Sequence, residues 1–517
     1  MYKKTFIMKY KSIYFIAVLA VIGIGCSKSW IDINTNPNSL PSATPSFVLT
    51  NAMNTTTTNI INANETGSYW AGHWTQSSSY ILSPETFSYN FTDGNFNYWD
   101  GLYDNLQDYQ YVIDNADAND QKYFKGPAKI MKAYIFSALV DMYGNIPYSD
   151  ALKGAASLAP KFDDQKVIYE NLIKLLDEAI VDVKATAFAS AFSGADIIFK
   201  GNATSWIQFA NSLKVRLLVH QARVAGKEAY ITTEINKIVT EGSGFITNKE
   251  VGVGGTTFYI ATAGKTNPMY DRWAYDANGA TRALARFPRP AKYLFDVLID
   301  TDDTLRLKRI AYAKGGERGA TPGTSNSPEI IANYVGVPFG VSSGYTAPAS
   351  SYIGPSLFVK GEFGRPFILM TAGEIQLSLA EIKQRFPAVT LPGTAQSYYE
   401  DGVRQSFRAL GVANAITNAN TLLAGGKANA DWAASTDKLQ AIATQKWLAL
   451  VNFSGLEAWT EYRRTNLPNT PQASTVTGTK RPFRLFYPNT EAGSNTENVK
   501  AQGTVDVFTT KIFWDID

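Results

Sequence analysis

Residues 131–148 read MKAYIFSALVDMYGNIPY. Met131, Tyr134, Ile135, Ala138, Leu139 and Met142 recur at three and four residues, which is the spacing of one apolar helix face. Gly144-Asn145-Ile146-Pro147 follows as a turn, best explained by backbone geometry rather than by ligand contact.

The same period recurs on both sides of this stretch. Ile168, Leu172, Leu175, Leu176, Ala179, Ile180 and Val183 form a second stripe, with an N-cap offered by Phe162-Asp163-Asp164-Gln165. Trp206, Phe209, Ala210, Leu213 and Leu217 form a third. Leu369, Ala372, Ile375, Leu379 and Ile382 predict a fourth helix, and Ile442, Trp447, Leu448 and Val451 a less regular fifth. The helices come in pairs separated by irregular stretches. No repeat of about 34 residues is visible, although helix pairs also build tetratricopeptide-like scaffolds. Residues 243–365 differ in kind, being rich in Gly, Ser, Thr, Pro and Tyr, as in VGVGGTTFYIATAG. They predict loops with some short strands, the kind of segment in which binding usually resides. Residues 410–435, rich in Ala, Asn and Gly, predict an exposed excursion.

The N-terminus carries a separate message. MYKKTFIMKYK holds four lysines and no acid, and residues 12–25, SIYFIAVLAVIGIG, are almost wholly apolar. Met8 offers a second start. A charged opening, a short apolar run and small residues at the cut define a secretory signal. Cys26, the only cysteine in 517 residues, stands directly after it. That position predicts a lipoprotein signal whose thiol accepts a diacylglycerol, since a thiolate is the nucleophile available. The alternatives are an uncleaved anchor or an ordinary signal followed by a chance cysteine. The apolar run is shorter than the ~20 residues of a membrane-spanning helix. The expected boundaries are a signal over 1–25, a lipidated tether over 26–45 and a single binding domain over 46–517.

Without the signal's four lysines the chain carries 44 basic against 45 acidic residues, which argues against a nucleic-acid partner. One cysteine excludes an internal disulfide and a Cys-based zinc site, and His73 and His220 are too few for a His-rich metal centre. Aromatics reach 13% of the chain, more than a core requires, and suit a protein that binds flat, partly apolar ligands.

Several spaced segments resemble the SusD/RagB family of outer-membrane nutrient-binding lipoproteins. They are Asp32-Ile33-Asn34-Thr35-Asn36-Pro37-Asn38, Asn97-Tyr98-Trp99 with Leu102-Tyr103, and Ala133–Tyr148 with its turn. Further along come Gly201-Asn202 with Trp206 and Phe209–Arg216, then Ala372-Gly373-Glu374 and Leu379-Ala380-Glu381. The most specific is Glu457-Ala458-Trp459-Thr460-Glu461-Tyr462-Arg463-Arg464-Thr465, and Arg484-Leu485-Phe486-Tyr487-Pro488 and Lys511-Ile512-Phe513-Trp514-Asp515 close the series. Phe513-Trp514 departs from a frequent Trp pair. The resemblance implies a mostly α fold, with tetratricopeptide-like helix pairs as scaffold and a loop-rich irregular half carrying the ligand site. It implies a surface-exposed, lipid-anchored outer-membrane protein that passes a glycan or other nutrient to a SusC-like TonB-dependent transporter. It implies no catalysis and no cofactor.

Most motif residues are read as serving the fold. Trp459, Tyr462, Arg463 and Arg464 predict a buried aromatic–arginine cluster held by carboxylates, with Glu374 and Glu381 as possible partners. The expected ligand contacts lie in two aromatic segments. In YWAGHWTQSSSY, residues 69–80, a helix would put Trp70, His73 and Trp74 on one face, with Gln76 and Tyr80 nearby. Tyr270–Asn278 alternates aromatic and hydrogen-bonding side chains, among them Arg272, Trp273 and Tyr275. Trp70, Trp74, Tyr80, Trp273 and Tyr275 are the stacking candidates, and Gln76 and Arg272 the hydrogen-bonding ones. A core role is the alternative for both segments, and His73 is not expected to hold a metal. The competing classes are a secreted glycoside hydrolase and a non-transport structural surface lipoprotein. A hydrolase needs two carboxylates ~5–9.5 Å apart, a signal without specificity here. No Gly-X-Ser-X-Gly, His-Glu-X-X-His or phosphate-loop motif is present.

Overall fold

The computed structural model describes residues 43–79, 83–117, 121–315, 324–470 and 481–516. The expected signal, Cys26, most of the tether and Tyr80 lie outside them. Pro45–Asp517 forms one compact unit.

A 26-residue helix, α1 (Pro45–Trp70), opens the unit. It packs on α2 (Trp99–Asn115), α2 on α3 (Lys125–Tyr143), α3 on α4 (Gln165–Ala185), and α4 on α5 (Ala203–His220). This neighbour-on-neighbour order is how tetratricopeptide-like scaffolds bury one face of each helix. The expected stripes explain it: Met131, Ile135, Leu139 and Met142 of α3 and Ile168, Leu172, Leu176 and Ala179 of α4 are all fully buried. Asp164 caps α4, its carboxylate accepting from the Lys166 and Val167 N–H groups. Gly144 ends α3 at φ 77°, a conformation that favours glycine.

After α6 (Glu228–Glu241), the chain enters its irregular part. The described strands, there and elsewhere, are short and pair antiparallel two by two, with an isolated parallel bridge between Ala291 and Val337. β1 (Trp74–Gln76) pairs with β5 (Pro288–Pro290), and β2 (Ile146–Pro147) with β3 (Phe162–Asp163). β4 (Val251–Val253) pairs with β8 (Phe367–Met370), and β6 (Ala311–Tyr312) with β7 (Tyr352–Ile353). One short helix in this part, α7 (Pro268–Trp273), packs against α1.

The scaffold resumes with α8 (Ala372–Arg385), α9 (Ala395–Ala409), α10 (Lys438–Leu450) and α11 (Gly455–Thr465). The expected fourth helix therefore begins later than its stripe: Leu369 belongs to β8. The cause is local, because Thr371 accepts from the Glu374 N–H at 3.0 Å and caps α8. α8 packs on α5, α9 and α10, while α11 crosses α1. That crossing is close. A Cβ at Gly67 would lie 2.4 Å from the Gly455 carbonyl oxygen, and one at Gly455 2.1 Å from the Asn64 carbonyl oxygen. The expected excursion over 410–435 contains a short helix, Ala415–Leu423. No described helix is long and apolar enough to cross a membrane.

Where α5, α8, α10 and α11 meet, the core carries ions. Arg216 donates to both oxygens of Glu374, from Nε at 2.7 Å and Nη2 at 2.9 Å, and lies 3.4 Å from Glu457. Arg464 reaches Glu381 at 2.9 and 2.6 Å and Glu461 at 2.7 Å, and Lys446 lies 3.1 Å from Glu461. The two acids in the resemblance thus find different arginines, Glu374 on α5 and Glu381 on α11. Arg463 stacks over Trp459 at 3.6 Å and donates to the Asp141 and Phe483 carbonyls, so the expected aromatic–arginine cluster forms. Tyr462 turns away from it toward Arg481.

Candidate functional site

The two aromatic segments do meet. Trp74 packs edge-on against Trp273, with ring centroids 5.9 Å apart. They meet inside the core. Trp70 is the last residue of α1 and fully buried; its Nε1–H donates to the Thr86 carbonyl at 3.0 Å and its ring packs 4.9 Å from Trp459. Trp74 is 1% exposed and donates from Nε1 to Asn452 Oδ1 at 2.9 Å. Trp273 is also 1% exposed, and Tyr275 is buried against Tyr270 at 5.7 Å. Gln76 is buried on β1 opposite Pro288.

The expected stacking platform is therefore corrected for these four rings, and Gln76 does not front solvent. The physical reason is the end of α1. Tyr69 and Trp70 are helical, but the chain then turns and continues as β1, so Trp70, His73 and Trp74 do not share a helix face. The strand instead carries Trp74 under the loop-rich half. His73 follows it inside: burial lowers its pKa to about 3, opposed by the Trp447 carbonyl 3.0 Å from Nε2. Its imidazole is neutral at physiological pH.

Arg272 is different. It is half-exposed, donates from Nη2 to Glu65 Oε2 at 3.1 Å, and lies 5.0 Å over the Trp273 ring. It also lines a cavity of about 790 Å³ between α1 and residues 257–272. That volume falls within the ~300–1,000 Å³ of small-molecule clefts and exceeds the cavities of about 170, 260 and 300 Å³ elsewhere. Asn54, Thr58 and Ile61 line one side of it, from α1. Phe258, Tyr259, Ile260 and Lys265 line the other, from the loop before α7. Ile260 is 42% exposed and Phe258 half-buried, which leaves apolar surface beside polar side chains. Asp271 at its edge pairs with Arg282, so Lys265 is the lining cation for which no ion pair forms among the described residues.

Its lining sets apolar surface beside hydrogen-bonding side chains. The candidate cavity lies in the loop-rich stretch singled out by the sequence, but the described aromatics expected to contact a ligand are not among its lining residues, whereas the neighbouring Arg272 is. The signal for those that do line it was Phe258-Tyr259-Ile260 enclosed by Gly254-Gly255 and Gly264, an apolar triplet in a loop with no periodic face to bury it.

Three carboxylate and imidazole groups could in principle hold a metal ion. His220, Glu457 and Glu461 present ligand atoms within 4.8 Å of one another. Their charges are already met. His220 Nε2 lies 3.0 Å from Glu457 Oε1, Arg216 and Arg464 face the carboxylates, and Tyr169 contacts His220 Nδ1 at 2.9 Å. Burial alone would raise the Glu457 pKa, but Arg216 and His220 outweigh it and hold it at about 2. Burial works against charging His220, yet Glu457 and Asp141 outweigh it and raise its pKa. This is a salt-bridge network of the scaffold.

Helices stacked in succession, with a loop-rich half folded over them and a sizeable cavity between the two among the described residues, define a helical-scaffold protein. The chain belongs to a SusD-like family described as "Starch-binding associating with outer membrane", whose model matches residues 37–488. None of the curated proteins matches it. Solved structures do. It is similar to a SusD homologue from Bacteroides uniformis, at 24% identity and TM-score 0.69 over 91% of this chain and 100% of that one. A SusD homologue from Bacteroides fragilis matches at 23% identity and TM-score 0.73, over 92% and 99%. A chitin-binding protein matches at 24% and 0.68, over 90% and 99%. At these identities the structures establish the shared mostly helical, tetratricopeptide-like fold.

Proposed function

We propose that this protein binds a glycan at the cell surface and hands it to a SusC-like TonB-dependent transporter in the outer membrane, without chemical turnover. The observation that carries the reading is the cavity between α1 and residues 257–272. Phe258 and Ile260 there suit the C–H faces of sugar rings, and Asn54, Lys265, Asp271 and Arg272 suit their hydroxyls. Support for the ligand class comes from the starch-binding description of the family and from the chitin-binding relative. Support for the location comes from the outer-membrane association of the family and from Cys26 directly behind an apolar export signal. In this reading Cys26 carries the lipid, residues 26–45 are the tether, and the ligand crosses to the transporter when the complex closes.

The deciding experiment is a glycan array probed with the mature protein, followed by incubation of the bound oligosaccharide with it. Binding with the oligosaccharide recovered intact supports the proposal. Release of shorter products favours a hydrolase, and no binding to any glycan favours a structural lipoprotein.

A further inference from the structure

The loop that walls the cavity is attached to the rest of the molecule in an unusual way. Among the described residues, every backbone hydrogen bond made by residues 255–266 closes within the segment. The Phe258 and Tyr259 N–H groups donate to the Gly255 carbonyl at 2.9 and 2.8 Å, Ile260 N–H to the Lys265 carbonyl at 2.8 Å, and Lys265 N–H to the Thr262 carbonyl at 2.9 Å. The ties to the body stand just outside it, from Gly254 N–H to the Ile197 carbonyl and from Asn267 N–H to the Phe363 carbonyl. Gly255 at φ 107° and Gly264 at φ 73° bound the apolar triplet, and a side chain at either would meet open space. Both positions hold a left-handed backbone that glycine adopts at little cost.

What seats the segment is Tyr259, only 3% exposed, its ring packed on Gly254. Its hydroxyl makes no hydrogen bond of good geometry; Thr57, whose own hydroxyl donates to the Asn54 carbonyl, is the one polar side chain near enough to offset in part the burial that pushes its pKa up to about 12. Thr266, also buried and also lining the cavity, has an unpartnered Oγ1 as well. Two buried hydroxyls without well-formed hydrogen bonds weaken the seated state, and a segment whose backbone bonds close on itself is held to the body by side-chain packing.

We infer that residues 255–266 form a hinged wall that swings to admit a polyhydroxylated ligand and closes on it, the Tyr259 and Thr266 hydroxyls being ligand contacts. This rests on the glycan-binding reading above. A sugar hydroxyl both donates and accepts, so it satisfies either group whichever role that group takes. Closing on the ligand converts two unmet hydroxyls into hydrogen bonds and lays Phe258 and Ile260 against the ring faces. The seated, empty form and the closed, occupied form then differ in the interaction that a ligand needs in order to shift one to the other.

The test is amide hydrogen exchange on the mature protein, alone and with neutral hexasaccharides of glucose, N-acetylglucosamine, xylose and mannose, together with Tyr259→Phe. Without sugar, amides 256–266 should exchange at least ~100-fold faster than those of β4. One of the sugars should slow them by about tenfold. Tyr259→Phe keeps the ring and removes the unmet hydroxyl, so its melting temperature should hold or rise while its dissociation constant for that sugar rises about tenfold. Exchange as slow as in β4 overturns the hinge, and unchanged affinity in Tyr259→Phe overturns the contact. If a sugar binds but protects amides elsewhere and leaves 256–266 unaltered, the inference fails and the glycan-binding reading stands. If none of the four sugars binds, the inference falls, and the glycan array decides the glycan-binding reading.

Discussion

Arg464 on α11 grips Glu381 on α8 through two hydrogen bonds, Nη1 to Oε1 at 2.9 Å and Nη2 to Oε2 at 2.6 Å, with both side chains buried. The pair fastens the C-terminal helix of the scaffold to the helix that follows β8. Each has a second partner: Arg464 also holds Glu461 at 2.7 Å, and Arg385 reaches Glu381 at 2.7 Å. Arg464→Leu, which takes the guanidinium from two buried carboxylates, should cost about 3–5 kcal/mol of stability in urea unfolding, and Glu381→Leu less. The double variant should cost clearly less than their sum, because the interaction is counted in both single changes. Strict additivity would show that the two groups are not energetically joined.

The ionic core also sets a pH window. Glu457 has its pKa depressed from 4.5 to about 2, so its contribution is full above 4.5 and is lost as pH falls toward 2. His220 has its pKa raised above 6.5, so its contribution is full below 6.5 and is lost as pH rises through the raised value. Asp141, Glu457 and Glu461 are the acids facing that ring, with Tyr169 at Nδ1. Unfolding free energy should therefore be greatest between the two limbs. His220→Gln should flatten the alkaline limb and leave the acid limb in place. An alkaline limb unchanged in that variant would assign the loss to other groups.

Trp70, Trp74 and Trp273 should behave as core residues. Truncation of any of them to alanine should destabilise the fold by ~3–5 kcal/mol. At a temperature where the variant remains folded, its glycan affinity should match the parent's. Melting curves and titrations on the same samples separate the two effects. A variant that melts normally and loses binding would return that ring to the ligand site.

The scaffold was legible because its helices bury single faces. The three- and four-residue spacing of Met131–Met142 and of Ile168–Val183 is a local signal, and it survives whatever packs on it. The stripe from Leu369 was misread at its start because Phe367-Ile368-Leu369-Met370 is a continuous apolar run, which fits a short buried strand and a helix turn equally well. Thr371 settles the matter only once its capping bond is seen. The candidate cavity was legible as a region and not as residues. Whether Trp74 faces solvent or Trp273 depends on which strand pairs with β1, and β5 is more than two hundred residues away. The pairing of Glu374 with Arg216 rather than with Arg463 or Arg464 is likewise set by how α5, α8 and α11 are placed. Tyr259 carries no periodic signal at all, because the segment around it belongs to no helix or strand.

In the proposed reading the membrane anchor is Cys26. Cys26→Ala should move the protein from the membrane fraction to a soluble or unprocessed form and abolish labelling with a lipid precursor. Mild detergent extraction of the parent should recover a large β-barrel protein in near-stoichiometric amount. Normal fractionation and lipid labelling of Cys26→Ala would refute the anchor, and recovery of the parent alone would count against the transporter.

Phe258 offers the most direct test of where the ligand sits, since it lines the cavity and is only half-buried. The measurement is the calorimetric dissociation constant of Phe258→Ala for the best glycan from the array, set against the parent and accompanied by its melting temperature. Loss of a stacking aromatic costs ~1–3 kcal/mol, so the constant should rise roughly ten- to a hundred-fold while the protein stays folded. A folded Phe258→Ala that binds as tightly as the parent would contradict the assignment of the glycan to this cavity.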